Sequence, residues 1–422
     1  MLGIKISISI VVLICFFHLS PNTAYAIENY CSPQPLRIDA LDRPSKHAWD
    51  LFLTINHPAK SKEQGRGIAD CSKPIGAPET TSVWETWRNA DTEVYLKDGA
   101  EPPEWNDTSL PDLRSGQTPA AEMIDASGTK TLSSHMILSQ LLQPQFSPDG
   151  EFQGSGGFGE TRINKTAYNF IRNECLFSKD GLKRYANAVA SGKKPEIKFP
   201  VEAIEVKAAW IDLSKHKIPK STWKTYYIAT DEKTQIKYGL TTLHIITKDI
   251  PNWFWASFHH KDVPHNQYET IDDYGAPSEV KDTVWSNYVL GGTQTDFITP
   301  TGEPTKLSDF YVESGFQNSS CITCHATAAI SSVGSLPNAQ RKALCAMTLN
   351  FPDANVTPEE CKKLLGLTSF KPNSDELLFE RGAPDPSWFS NNGVKYIQTD
   401  FVWSIPFRAK NEINPPPQRC IW

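Results

Sequence analysis

Four segments rich in β-branched and aromatic residues follow one another between residues 204 and 260. They constrain the fold more than any other feature of the chain. Their sequences are IEVKAAWI (204–211), WKTYYIA (223–229), YGLTTLHIIT (238–247) and WFWASFHH (253–260). Residues of these types favour strands. The chain also contains 31 prolines and 24 glycines, which interrupt helices and mark turns. We therefore predict an antiparallel sheet or meander here, and not a helical bundle.

Outside this region the secondary-structure signals are shorter. Residues 48–53, with Trp49 and Phe52, have the pattern of a short buried helix, and so do residues 81–87, where Trp84 and Trp87 lie three positions apart. The glycine cluster at 154–159 lacks the Gly-Lys-Ser/Thr of a phosphate-binding loop, so we interpret it as a turn or flexible loop. Two helices are expected later, at 338–349 and from Thr357 onward, where Thr-Pro-Glu-Glu has the pattern of a capping box.

The overall composition excludes several classes of protein. With 39% hydrophobic and 11% aromatic residues among 422, the chain is too apolar to be disordered, and it is long enough for one large domain or two to three ordinary ones. Lys and Arg number 42 against 48 for Asp and Glu, which gives a net charge of -6. Because the chain has no excess of positive charge to attract phosphates, we predict no nucleic-acid partner.

Residues 1–26 have the pattern of a secretory leader. Lys5 supplies a positive start, 6–19 is a mostly apolar run, and Ala24-Tyr25-Ala26 has the small-x-small form of a cleavage site. The alternative is a retained membrane anchor, but the run is short for a span of ~20 residues. We therefore predict a cleavable signal peptide and a mature form with no membrane span.

Export from the cytoplasm would allow the cysteines to form disulfides. Of the nine, Cys15 lies in the leader and two belong to the motif described next. The remaining six permit three bridges with fifteen pairings: Cys31, Cys71, Cys175, Cys345, Cys361 and Cys420. We predict that Cys345 pairs with Cys361, since the two lie on consecutive predicted helices. The sequence does not choose among Cys31, Cys71 and Cys175 as the partner of Cys420.

One motif in the sequence carries specific chemistry. The string NSSCITCH (318–325) contains Cys-x-x-Cys-His, the attachment motif for haem c. On a helix, Cys321 and Cys324 share one face, so each thiol can add to one haem vinyl group. His325 follows at once and is placed to bind the iron as its proximal ligand. Ser319 or Ser320 can cap the start of this helix.

Three other interpretations of the motif are a redox-active Cys-x-x-Cys pair, a zinc site and a plain disulfide between Cys321 and Cys324. A redox pair would favour a thioredoxin-like βαβ context, and a zinc site would need a second pair of Cys or His at short spacing. The sequence around the motif has neither pattern. We therefore predict one covalently bound haem c, because the chain contains a single Cys-x-x-Cys-His.

On this motif and its leader the chain resembles c-type cytochromes. Four strings are also similar to those of large, little-characterised bacterial cytochrome c family proteins, which carry one haem site late in a long chain. They are WFWASFHH (253–260), GGTQ (291–294), SCITCHA (320–326) and DFVWS (400–404). The resemblance covers about the second half of the chain and implies a periplasmic location, but no particular reaction. The motif lies far later here than in small carrier cytochromes, which implies a larger haem housing or an extra function.

Iron held by His325 alone would have an open sixth position. We favour His260 as the second iron ligand, because it ends an aromatic-rich strand and a His stands at its place in the resembling proteins. Trp255 and Phe258 would supply an apolar wall, and His259 would point the other way. Met347 is the second choice, and an open or water-bound iron the third; His259 and His260 could equally be surface residues. The remaining candidates are His47, His57, His135, His216, His244, His265, Met123 and Met136.

The sequence thus predicts an α+β protein in which an antiparallel sheet region is followed by a helical haem c-binding segment. Residues 200–422 would bear the haem, and 27–199 would pack on them as one unit or form a companion domain. The predicted function is periplasmic electron transfer to or from an unidentified redox protein. The alternative is a haem-dependent oxidoreductase or haem-based sensor with an open or displaceable sixth ligand. The length of the chain favours an enzyme, but no hydrolase, metalloprotease or dinucleotide motif accompanies it.

Overall fold

The structure is a computed structural model, and it describes most of the chain after residue 34. The described residues are 31, 35–110, 157–231, 235–263, 268, 272–309, 312, 320–333, 363, 382–391 and 393–422. The predicted leader at 1–26, Met347 and the predicted Cys345–Cys361 pair lie outside these ranges. Within them, no helix is long and apolar enough to cross a bilayer.

Helices in the described residues are short. They are α1 (Asp39–Asp42), α2 (Pro44–Ile55), α3 (Lys165–Asn173), α4 (Lys179–Ala190), α5 (Cys321–His325) and α6 (Ser404–Arg408). A π-helical turn covers Ala90–Val94. Turns of 3₁₀-helix occur at Trp84–Thr86, Lys220–Thr225, Ser278–Val280, Val284–Asn287, Pro386–Phe389 and Gln418–Cys420. The buried helix predicted at 48–53 is confirmed within α2, whereas the helix predicted at 81–87 is only one 3₁₀ turn.

Among the described residues, the strands form one large sheet and two small ones. They are β1 (Arg88–Asn89), β2 (Gly157–Ile163), β3 (Ile204–Asp212), β4 (Ile228–Thr230), β5 (Lys237–Thr247), β6 (Phe254–His260), β7 (Tyr288–Gln294), β8 (Ala329–Ile330), β9 (Ser390–Asn391), β10 (Val394–Lys395) and β11 (Ile397–Gln398). The large sheet has seven antiparallel strands in the order β1-β2-β3-β5-β6-β7, with β4 also paired to β5. The mixture of helices with an antiparallel sheet confirms the α+β class.

Three of the four predicted β segments are strands of this sheet, and the segment 223–229 differs. Its first half belongs to the 3₁₀ turn, and the strand β4 begins only at Ile228. The hydroxyl groups of Thr222 and Thr225 donate to the carbonyl groups of Pro219 and Thr222, each three residues back. Such local bonds stabilise a turn in competition with a strand. The glycine-containing stretch predicted as a loop also differs, because its end is the strand β2, paired along its length with β3.

The two faces of the sheet pack against different parts of the chain. On β6, Phe258 packs against Phe52 of α2 at 4.4 Å between ring centroids. We call this side, with Phe254, Phe258 and His260, the α2 face. Trp255, Ser257 and His259 alternate onto the opposite side, which we call the motif face. Burial of each phenylalanine on the α2 face contributes about 1.5–3 kcal/mol to folding.

One hydrophobic core includes both halves of the chain. Its buried side chains run from Ala40 in α1 to Cys420 near the C-terminus, and they come from both sides of residue 200. The strand β2 of the first half also pairs directly with β3 of the second. Residues 35–110 and 157–199 therefore pack on the described part of 200–422 through a shared sheet and a shared core.

In the part of the chain that the structure describes, two disulfides join distant segments. Cys31 is bonded to Cys71, and Cys175 to Cys420, with Cα atoms 5.1 and 5.7 Å apart. Of the three partners that the sequence left open for Cys420, the structure has Cys175. This second bridge attaches the C-terminal tail to the loop between α3 and α4.

A buried cluster of charges fixes the edge strand β1. The carboxylate of Glu93 lies 2.9 Å from both Arg66 and Arg88, and it accepts the backbone N–H of Asn89 at 2.8 Å. Glu93 and Arg88 are fully buried. Arg88 also donates to the carbonyl groups of Trp105 and Asp107, so the cluster attaches the loop at 105–107 to the sheet edge.

Candidate functional site

The Cys-x-x-Cys-His motif forms the short helix α5. The Oγ atom of Ser320 accepts the N–H of Thr323, so Ser320 is the N-cap, one of the two serines predicted for this role. Cys321 and Cys324 are thiols, and the Cys321 Sγ donates to the carbonyl of Leu307. The structure therefore does not contain a disulfide between Cys321 and Cys324.

The start of α5 is held by Gln294 at the end of β7. The Gln294 side chain donates to Ser320 Oγ at 3.0 Å and accepts the N–H of Ile322 at 3.1 Å. Its Nε2 also donates to Thr305 Oγ1. Gln294 is buried, so these bonds form away from water and fix the helix against the edge strand of the sheet.

The His325 ring is oriented by a backbone carbonyl. Its Nδ1 lies 2.8 Å from the carbonyl oxygen of Phe401, which can only accept, so Nδ1 carries the proton and Nε2 presents its lone pair. Asp400 and Phe401 both have positive φ angles, 51° and 71°, a conformation that is uncommon for residues with side chains. A histidine that binds metal through one nitrogen usually donates the other N–H to such a carbonyl.

Side chains on either side of Phe401 hold this loop in place. The Asp400 carboxylate pairs with Lys248 at 2.6 Å and accepts the backbone N–H of Phe199 at 2.7 Å. The Trp403 indole donates to the carbonyl of Cys324 at 3.0 Å. The strained backbone at Asp400 and Phe401 is therefore bonded both to the sheet region and to the motif helix.

Trp255 of the motif face completes the contacts around His325. Its ring centroid lies 4.6 Å from that of His325, in an edge-to-face arrangement. The strings 253–260, 291–294, 320–326 and 400–404 thus meet at α5 through Trp255, Gln294 and Phe401. The resemblance singled these strings out, but nothing in their spacing indicated that they contact one another.

A small cavity of about 40 Å³ lies between α5 and the motif face of the sheet. It is lined by Glu205, Lys207, His244, Ile246, Trp255, Ala256, Leu307, Cys321 and His325. Glu205 and Lys207 were not predicted as site residues from the sequence, and His244 was only one of the lesser candidates for the second iron ligand. Alternation is the signal that could have grouped them, since 205 and 207 on β3, and 244 and 246 on β5, lie on one side of the sheet.

Burial affects the protonation of Glu205 in this cavity. Burial raises the pKa of the Glu205 carboxyl, and the positive charge of Arg408 together with a hydrogen bond from Ser404 acts in the opposite direction. Arg408 is itself bonded to Asp91 at 2.9 Å and to Thr161. A carboxyl in this environment is easier to protonate than one at the surface.

His260, the residue favoured as second iron ligand, lies on the α2 face. Its Nε2 is 3.0 Å from the carbonyl of Thr225, and its Nδ1 accepts the N–H of Asp262. The ring stacks on Tyr226 with centroids 3.8 Å apart. Because Trp255 alternates to the other face, it forms no common wall with His260 and Phe258, and the structure does not bring His260 together with His325.

The bonds of His260 predict a pH effect on stability. Burial lowers the pKa of His260 below its ordinary value of 6.5, and the neutral ring alone can accept from Asp262 while donating to Thr225. The unfolded chain then binds the proton more readily, so stability should fall as the pH drops below about 6.5, by at most about 1.4 kcal/mol per pH unit. We expect His260→Gln to weaken this pH dependence, measured by chemical unfolding at about pH 7 and pH 5. An unchanged slope would contradict the assignment.

The donor groups of α5 fit the attachment of haem c. Two thiols share one short helix, and His325 directs Nε2 away from its bond to Phe401. The cavity volume corresponds to two or three water molecules and is smaller than a porphyrin. Binding of the ring therefore requires the side chains that line the cavity to move.

No protein-family model, curated protein or solved structure matches the chain.

Proposed function

We propose that this chain is an exported c-type cytochrome that carries one haem c and transfers electrons in the periplasm. Cys321 and Cys324 would hold the haem, and His325 would be the proximal iron ligand. The observation that carries the proposal is the bond from His325 Nδ1 to the carbonyl of Phe401, within a Cys-x-x-Cys-His helix. It leaves Nε2 deprotonated, as an iron ligand must be.

Attachment of the haem needs no further reactant. The S–H bond of each thiol adds across one vinyl C=C bond: sulfur bonds to one carbon and the proton goes to the other. The haem then supplies an iron centre that gains or loses one electron. The protein fixes the ligand: Phe401 accepts from His325 and raises the basicity of Nε2, while Gln294 and Ser320 hold the helix.

The net charge of the chain indicates which kind of surface its redox partner would have. A net charge of -6 over the full sequence favours a protein with a basic docking surface, since complementary charge speeds encounter. We propose a redox protein of that kind as the donor or acceptor. Rates of electron exchange should then fall as ionic strength rises.

A second candidate function is a haem-dependent oxidoreductase or sensor. The observation that favours it is the presence of three ionisable side chains, Glu205, Lys207 and His244, in the cavity beside His325. Such groups can hold or move a proton next to a bound substrate or gas. This candidate requires an open iron position, so binding of CO to the ferrous protein would favour it over electron transfer.

The proposal is tested by counting covalent haems. The full chain, made in a bacterial periplasm with the haem c maturation system, should carry one haem that survives denaturation, as measured by the pyridine haemochrome spectrum and the intact mass. The same mass would report cleavage after Ala26. The Cys321→Ala/Cys324→Ala variant should carry none.

A matched control removes two other cysteines. The Cys31→Ala/Cys71→Ala variant loses a disulfide but keeps both motif thiols, so it should retain one haem per folded chain. Colourless wild-type protein, with Cys321 and Cys324 as thiols or joined to each other, would overturn the proposal.

A further inference from the structure

We propose that His244 is the second axial ligand of the iron, on the side opposite His325. This inference rests on the proposed function, because it requires haem at the motif. It assigns the iron a His/His ligand pair in place of the His325–His260 pair predicted from the sequence.

The position of His244 in the sheet carries the proposal. His244 on β5 is directly opposite Ser257 of β6 and Lys207 of β3. Directly opposed residues share a face, so His244 lies on the motif face with Trp255, whose ring contacts His325. Its imidazole is buried and lines the same cavity as Cys321 and His325.

Other histidines in the described residues do not meet these conditions. His260 lies on the α2 face and is bonded to Thr225 and Asp262. His47 is bonded through Nε2 to Asp249 at 2.9 Å and packs edge-on against Phe254 of the α2 face. His259 is also on the motif face, but it lies two residues beyond Ser257 on β6 and is opposite Thr242. It packs against Gly291 and does not line the cavity.

The nature of the ligand pair determines the chemistry of the iron. Two imidazoles give a low-spin iron in both oxidation states, and no position is left for an exogenous ligand. A His/His pair also lowers the reduction potential relative to a His/Met pair. The assignment therefore favours electron transfer over the enzyme or sensor candidate.

Absorption and EPR spectra of the holoprotein test the inference. Wild-type protein should be low-spin as ferric and ferrous forms and should not bind CO. We expect His244→Ala to become high-spin and to bind CO in the ferrous form, and added imidazole to restore the low-spin spectrum. The control variants His259→Ala and His260→Ala should keep the wild-type spectrum.

A second variant guards against failure of His244→Ala to fold. His244→Met keeps a ligand at the same position, so it should stay low-spin, gain a near-infrared sulfur-to-iron band and show a higher reduction potential. A low-spin His244→Ala variant that binds no CO would overturn the inference, as would a wild-type spectrum for His244→Met.

Measurements on the same samples distinguish failure of the proposed function from failure of the His244 assignment. A wild-type protein with no covalent haem removes the proposed function and the inference together. A wild-type protein that has covalent haem but is high-spin and binds CO removes the role of His244, leaves haem attachment at the motif intact, and favours the oxidoreductase or sensor candidate over electron transfer.

Discussion

Replacing Glu93 by glutamine is expected to lower the free energy of unfolding by about 3–5 kcal/mol. The substitution keeps the shape of the side chain but removes the negative charge that lies 2.9 Å from both Arg66 and Arg88. Those guanidinium groups are almost fully buried and would lose the carboxylate that neutralises both of them. Unfolding in guanidinium chloride, on wild-type and variant protein in the same haem-loaded or haem-free form, measures the effect.

The control for this prediction is an ion pair at the surface. Glu196 lies 3.3 Å from Lys395, and both side chains are more than half exposed, so water screens their attraction. Glu196→Gln should change the unfolding free energy by less than about 1 kcal/mol. If Glu93→Gln were as mild as Glu196→Gln, the buried cluster would not stabilise the edge of the sheet as described.

Loss of the Cys175–Cys420 disulfide is the second large effect that we expect. The bridge joins residues separated by 245 positions, and closing a loop of that length in the unfolded chain corresponds to about 5 kcal/mol in the chain-entropy description. The tail that it holds also packs Trp422 against Tyr185, with ring centroids 5.4 Å apart. The Cys175→Ala/Cys420→Ala variant should unfold at a markedly lower denaturant concentration.

The other disulfide provides the comparison. Cys31–Cys71 spans 40 positions, for which the same description gives about 4 kcal/mol. Its removal by Cys31→Ala/Cys71→Ala should therefore destabilise the protein less than removal of the longer bridge. Equal losses, or a larger loss for Cys31–Cys71, would contradict the entropic account. Reduction of the wild-type protein should lower its stability at least as far as the longer-bridge variant.

Part of the fold follows from local sequence pattern, and part does not. The strands β3, β5 and β6 are rich in β-branched and aromatic residues, which predict strands without tertiary information. The strands β2 and β7 each contain two glycines among their β-branched and aromatic residues. Glycine inside a strand weakens the local pattern, so neither segment was predicted as a strand, and pairing with β3 and β6 stabilises them.

Part of the candidate site was likewise predictable from local sequence, and part was not. Cys321, Cys324 and His325 are adjacent in sequence, so their motif predicts an attachment helix directly. Phe401, which bonds to His325, lies 76 residues later, and Gln294 lies 28 residues before the N–H of Ile322 that it accepts. Contacts between residues so far apart in the sequence depend on the tertiary fold, which local sequence patterns do not predict.

The choice among histidines shows the same limit. His260 was favoured because it ends a strand with apolar neighbours, and that description was correct. Which face of β6 meets α5 depends on packing, and the opposition of His244 and Ser257 depends on strand register. Neither can be obtained from the alternation of one strand.

The distance along the chain between His325 and Phe401 has a consequence for the order of assembly. In an exported protein the N-terminal part crosses the membrane first, so the motif emerges before the carbonyl group that orients its histidine. Under the proposed function, the two thiols would be accessible for haem attachment while His325 still lacks the carbonyl group that orients its ring. Closure of the loop around Phe401 would then complete the iron environment only after the last part of the chain has been delivered.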